Sequence, residues 1–95
     1  MAQRRLEQIR ERIRLGEYDM TAPAMEEMAE DELTIIDVES AILNGQITRT
    51  QKDDPRGTKY VIEGACTDPQ TRIGAVGRFA GRARYLIITV YRTEE

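Results

Sequence analysis

Nine bases stand between residues 46 and 95 of this 95-residue chain, among them Arg49, Lys59, Arg78, Arg82 and Arg84. Tyr60, Tyr85 and Tyr91 are interleaved with them. Cationic side chains for phosphates, beside aromatic faces for bases, are what single-stranded RNA binding requires. Arg49, Lys59, Arg78 and Arg84, with Tyr91, are the residues expected to carry that chemistry. Lysines and arginines on strands also protect sheet edges from aggregation, and the residue types alone fit both uses.

The rest of the chain excludes several chemistries. It has no histidine and one cysteine, Cys66. Ser-His and Cys-His nucleophilic sites are therefore absent, as are zinc sites that use His. Cys66 reads as a small buried apolar residue at a strand end. Gly74-Ala75-Val76-Gly77 lacks the Lys-Ser/Thr that follows a phosphate-cradling loop. Neighbouring carboxylates cluster in the acidic helical region, where a solvated face accounts for them. No metal and no cofactor is expected.

Charge is sorted along the chain. Residues 1–14 hold five Arg against two Glu, and residues 15–45 hold nine acids and no base. One face can thus be acidic and another basic. Leu6, Ile9 and Ile13 predict a first helix over Ala2–Leu15 that ends at Gly16, with a stripe narrow enough to need a partner or an appended position. Thr21 caps a second helix with Pro23 in its first turn. Its stripe of Met25, Met28 and Ala29 faces inward and runs toward Leu33. Thr34 caps a third helix, and Asp37 three residues later completes a capping-box pattern. Ile35, Val38, Ala41 and Ile42 face its core side, and Asn44-Gly45 ends it. Two short helices suggest a DNA-reading pair, but the second carries Asp37 and Glu39 and no base, the wrong sign for a groove.

After Gly45 the period changes from 3.6 to 2. Strands are predicted at 47–50, 59–66, 71–79 and 84–91, joined by turns short enough to enforce antiparallel pairing. The apolar run Leu86-Ile87-Ile88-Thr89-Val90 predicts a central strand covered on both faces. The fold class is α+β, with N-terminal helices packed on a four-stranded antiparallel sheet. One domain spans 1–95, with 1–16 an appended helix and 18–92 the α+β body. No apolar run approaches the ~20 residues of a membrane span, the start does not resemble a secretion signal, and a single cysteine suits a reducing compartment. The expected location is the cytoplasm.

The run from Thr21 through Ala22-Pro23-Ala24-Met25 to Asp37-Val38-Glu39 and Asn44-Gly45 resembles the opening of a bacterial family known as domain of unknown function 4258. The closing Leu86-Ile87-Ile88-Thr89-Val90-Tyr91 resembles that family's final strand. The likeness covers about residues 18–92. The family looks like a distant relative of RelE- and BrnT-type messenger-RNA endonuclease toxins. The resemblance implies a type II toxin, an endoribonuclease neutralised by an antitoxin of the YgiT/MqsA zinc-finger type. Where the family places His in Thr-x-His-Ala, this chain has Pro23, so an acid–base or phosphate-contacting group is replaced at that position.

Two functions follow as expectations. One is a metal-independent endoribonuclease, or its form inactivated at Pro23, with RNA and a cognate antitoxin as partners. The other is a non-catalytic module that binds another protein or forms a homodimer. In the first case an acidic antitoxin segment is expected on Arg78, Arg82 and Arg84, with acids 26–39 outside the contact.

Overall fold

The computed structural model describes residues 2–81 and 83–93. Arg82, expected at the antitoxin contact, lies outside the described residues. The element order is α1 (Ala2–Arg14), β1 (Tyr18–Met20), α2 (Ala22–Glu30), α3 (Ile35–Asn44), β2 (Gln46–Gln51), β3 (Lys59–Ala65), β4 (Arg72–Ala80) and β5 (Arg84–Arg92). The fold is α+β. The sheet has five strands in the order β1-β5-β4-β3-β2. β1 runs parallel to β5, with Tyr18 opposite Tyr85 and Met20 opposite Ile87. This corrects the expectation of four antiparallel strands: the sheet is mixed, and its extra edge strand is a three-residue segment between α1 and α2.

The capping signals act as chemistry requires. Thr21 Oγ1 accepts from the Ala24 N–H and donates to the Ile88 carbonyl, fixing the start of α2 beside the edge of β5. Thr34 and Asp37 form the reciprocal capping box at α3. Asp37 also accepts from the Thr67 hydroxyl at 2.6 Å, so the same carboxylate ties α3 to the β3–β4 turn. Hydrogen bonds from Thr67, then from Thr34, hold the Asp37 carboxyl below the usual carboxylate range.

The three helices lie on one face of the sheet or beside its edge. Leu6, Ile9 and Ile13 of α1 join Val38, Ala41, Ile42, Ile62, Ile73 and Ile87 in the core. Each of these Leu, Ile and Val side chains contributes about 1.5–3 kcal/mol by burial, and Ala41 less. Arg10 donates to the Ile42 and Gly45 carbonyls, so α1 is also pinned to the C-terminal end of α3. Met28 packs against the core, whereas Met25 is 49% exposed and Ile35 36% exposed, so neither faces inward as their spacing suggests. α2 has nine residues and a single buried one, Ala24, which leaves room for only a narrow contact. Cys66 follows β3 and is buried. Among the described residues no helix is long and apolar enough to cross a membrane.

Candidate functional site on the open face of the sheet

Apart from one bulge each in β2 and β5, alternation divides the sheet into two faces. Tyr60, Ile62, Ile73, Ala75, Tyr85, Ile87 and Val90 point into the core. The other face, which no helix covers among the described residues, carries Lys59, Val61 and Glu63 from β3, Arg72, Gly74, Val76 and Arg78 from β4, and Arg84, Leu86, Thr89 and Tyr91 from β5. β5 is interior to the sheet, but only its inner face is covered, contrary to the reading of its apolar run.

Two β-bulges decide which residues reach this face. On β2, Ile47 stands opposite Ile62 and Arg49 opposite Val61, so Thr48 is the extra residue. On β5, Thr89 stands opposite Val76 and Ile87 opposite Gly77, so Ile88 is the extra residue. A side chain changes face at every step of a regular strand. Counting from inward-facing Ile47 and Ile87 without the bulges would turn Arg49 and Tyr91 toward the core. The extra residue in each strand re-aims them outward.

Once outward, they converge. Thr48, Arg49, Val61, Glu63 and Tyr91 line one depression of about 330 Å³. Glu63, Gly74 and Tyr91 form a single rung across β3, β4 and β5. Neighbouring strands are roughly 4.8 Å apart, so Tyr91 must span one whole strand to reach Glu63. It does so over Gly74: a Cβ there would sit 2.5 Å from Tyr91 Oη and 2.7 Å from Cε1. The phenol donates to Glu63 Oε2 at 3.3 Å. Burial first, then the Glu63 charge and hydrogen bond, push the Tyr91 phenol above its ordinary value, while Arg49 pulls the other way. At neutral pH the phenol therefore keeps its proton and acts as the donor.

The other expected bases share the face without sharing the depression. Lys59 and Arg78 stand opposite each other one rung beyond Val61 and Val76. Lys59 Nζ lies 3.6 Å from Asp54 Oδ2. Arg84 is held at the far edge by Asp19, with Nε to Oδ2 at 2.9 Å and a second nitrogen to Oδ1 at 3.1 Å, and it also donates to the Tyr18 carbonyl. That bidentate pair fastens β1 to β5. Pro23 is exposed in the first turn of α2 and is not among the residues lining the depression. Tyr60 and Tyr85 are buried, which corrects the expectation that three tyrosines lie among the bases; Tyr91 alone of the aromatics stands on the open face.

Glu63 is the residue that sequence reasoning missed. Its signal is the alternation Lys59, Val61, Glu63, which puts a carboxylate on the same face as the expected bases. Together the depression offers a proton acceptor, a phenol bonded to it and a guanidinium. Among the described residues no group of three or more metal-ligating side chains comes together.

A family model described as Domain of unknown function (DUF4258) matches residues 20–92. The chain belongs to the DUF4258 family. No curated protein and no solved structure matches it. The DUF4258 match runs from the last residue of β1 to the last of β5, so it contains every residue of the depression and leaves α1 outside.

Proposed function

We propose that the open sheet face is the active surface of a small endoribonuclease, distantly like RelE- and BrnT-type toxins, whose partner is an antitoxin. The observation that supports this reading is the meeting of Glu63, Tyr91 and Arg49 in one depression, with Lys59 and Arg78 next to it. In this scheme Glu63 takes the proton of a ribose 2′-hydroxyl as its oxygen attacks the adjacent phosphorus. The O2′–P bond forms, the P–O5′ bond breaks, and a 2′,3′-cyclic phosphate results. Arg49 pairs with the phosphate oxygens where negative charge grows, the contribution that commonly dominates such catalysis. Tyr91 gives its proton to the departing 5′-oxygen and regains one from Glu63 through the hydrogen bond already in place. A phenol with a raised pKa is a weak acid, yet still stronger than the alcohol it protonates.

The test is cleavage of a labelled oligoribonucleotide by the full chain, alongside Glu63→Gln, Arg49→Ala and Pro23→His forms. Glu63→Gln should lower the rate by ~10²–10⁴-fold, as loss of a general base does, and induction of the active form should arrest growth. Equal rates for whichever form cleaves and its Glu63→Gln variant, or no cleavage by the parent and Pro23→His forms alike, would overturn the assignment.

A second reading is a non-catalytic module whose acidic helices dock a basic partner. It draws on Ile36 (61% exposed) and Leu43 (37% exposed), which lie seven residues apart on one side of α3. Size-exclusion mass of the full chain and of an Ile36→Glu, Leu43→Glu double variant tests the homodimer form of this reading: a monomer mass for the parent excludes it, and a dimer mass lost in the variant supports it.

A further inference from the structure

The depression holds one cationic side chain, Arg49, and the face around it has a second, Arg72, on the opposite side of Tyr91. Arg72 stands two residues before Gly74 on β4, and Val76, opposite Val61 and level with Arg49, stands two residues after it. Side chains two residues apart on a strand share a face and lie about 6.7 Å apart. The Tyr91 rung is therefore midway between an Arg49 rung and an Arg72 rung. Arg72 also lines a separate hollow of about 190 Å³ with Thr71, Arg92 and Thr93. Tyr91, half-buried and held over Gly74 by its bond to Glu63, is the one aromatic ring on the face.

We propose that Tyr91 is the stacking platform for one unpaired base, with the phosphates on either side of that nucleoside held by Arg49 and by Arg72. This rests on the endoribonuclease reading above and specifies its substrate: a single-stranded segment, cut at the nucleotide that stacks. The charge of the face favours a polyanion, because Arg49, Lys59, Arg72 and Arg78 share it. A duplex is disfavoured, since its bases are stacked on one another and present no face to the ring. A ring held at both ends loses little freedom when a base settles on it, so most of the stacking gain appears as affinity.

The experiment measures binding without cleavage. A short fluorescein-labelled oligoribonucleotide, 2′-O-methylated so that no attacking hydroxyl remains, is titrated with the full chain and followed by anisotropy over a range of salt. Tyr91→Leu should weaken binding by roughly 5- to 100-fold, the scale of one base–aromatic stack. Tyr91→Phe, which keeps the ring but loses its tether to Glu63, should weaken binding clearly less than Tyr91→Leu does, since the base stacks on the ring rather than on the hydroxyl. Arg72→Ala should reduce the slope of log K against log salt by about 0.7, one phosphate contact on a single strand. The proposal is overturned if Tyr91→Leu binds like the parent, if Arg72→Ala leaves the slope unchanged, or if a duplex of the same sequence binds as tightly. It is also overturned if the oligonucleotide fails to bind while a polyglutamate peptide does, which would make the face a protein-docking surface. Binding as described, with no cleavage of the unmodified RNA, would instead refute the catalytic reading and leave the platform standing.

Discussion

The Tyr91 hydroxyl reaches Glu63 across a strand, and the residue it passes over is glycine. That crossing brings a phenol from β5 and a carboxylate from β3 together, although their backbones are two strands apart. A side chain at position 74 would remove the path. Gly74→Ala should therefore swing the Tyr91 ring outward, abolish its bond to Glu63 and, under the proposed mechanism, lower RNA cleavage as Glu63→Gln should. The cost in stability should be small, because a half-buried ring has somewhere to go. Tyr91 ring resonances and the thermal midpoint check both parts.

Gly77 offers the matching control. A Cβ there would sit 2.5 Å from Cε2 and 2.6 Å from Cζ of Tyr85, a ring only 1% exposed that packs edge-on against Phe79 at 5.4 Å. That ring has no free volume to enter. Gly77→Ala should thus cost about 1–3 kcal/mol, the usual scale of overpacking, and clearly more than Gly74→Ala. Equal midpoints for the two variants in denaturant would show that the core yields where the packing says it does not.

Tyr85 supports a second stability prediction. Its hydroxyl is buried and has no hydrogen-bond partner among the described residues. A buried unpaired hydroxyl costs about 1–3 kcal/mol. Tyr85→Phe should leave the fold unchanged and raise its stability by up to that amount. A fall in the thermal midpoint would mean that the hydroxyl has a partner in solution.

The β2–β3 hairpin should respond to acid. Asp54 accepts from the Arg56 N–H at 2.9 Å and from its guanidinium, and these bonds, with weaker help from the charges of Arg56 and Lys59, lower its pKa from 3.8 to about 2. A carboxyl depressed in the folded state contributes its stability in full above its ordinary value and loses it as pH falls through the lowered one. The Arg56 amide resonance should titrate with a midpoint near 2, and Asp54→Asn should abolish that step. A midpoint near the ordinary carboxylate value would show the loop unformed in solution.

At the opposite edge, Asp19 and Arg84 hold β1 against β5 through an exposed pair. Such exposed pairs are screened by solvent and contribute little to stability. Asp19→Asn should loosen β1 only slightly and release Arg84 toward the open face. Amide exchange at residues 18–20 should quicken, and, on the proposed reading, RNA or antitoxin binding should strengthen at low salt, where screening is least.

Local chemistry made much of this legible from the residues. Thr34 and Asp37 announce the third helix, and period-2 alternation places four strands to within a residue or two. β1 has no such signal, because Tyr18-Asp19-Met20 is too short for periodicity and becomes a strand only by pairing with residues 85–87. The site was half legible for a related reason. Arg49 and Tyr91 stand out by type, but their convergence depends on two bulges that alternation cannot foresee. Glu63 gains its role only through Gly74 and a partner 28 residues away. Arg84, equally prominent by type, is occupied by Asp19, a pairing that links the two ends of the sheet's history in the chain.

The parallel contact of β1 with β5 also sets the order in which the protein can form. Residues 18–20 must wait for residues 85–87 before they have anything to pair with, and the core face of α1 likewise lacks much of its cover until then. Contacts so distant along the chain slow folding, since a long loop must close before any reward arrives. During synthesis, helices can appear early, but the sheet cannot be completed until the last strand has been made. Tyr91 belongs to that strand, so the rung it builds with Glu63 is among the last features of the molecule to exist.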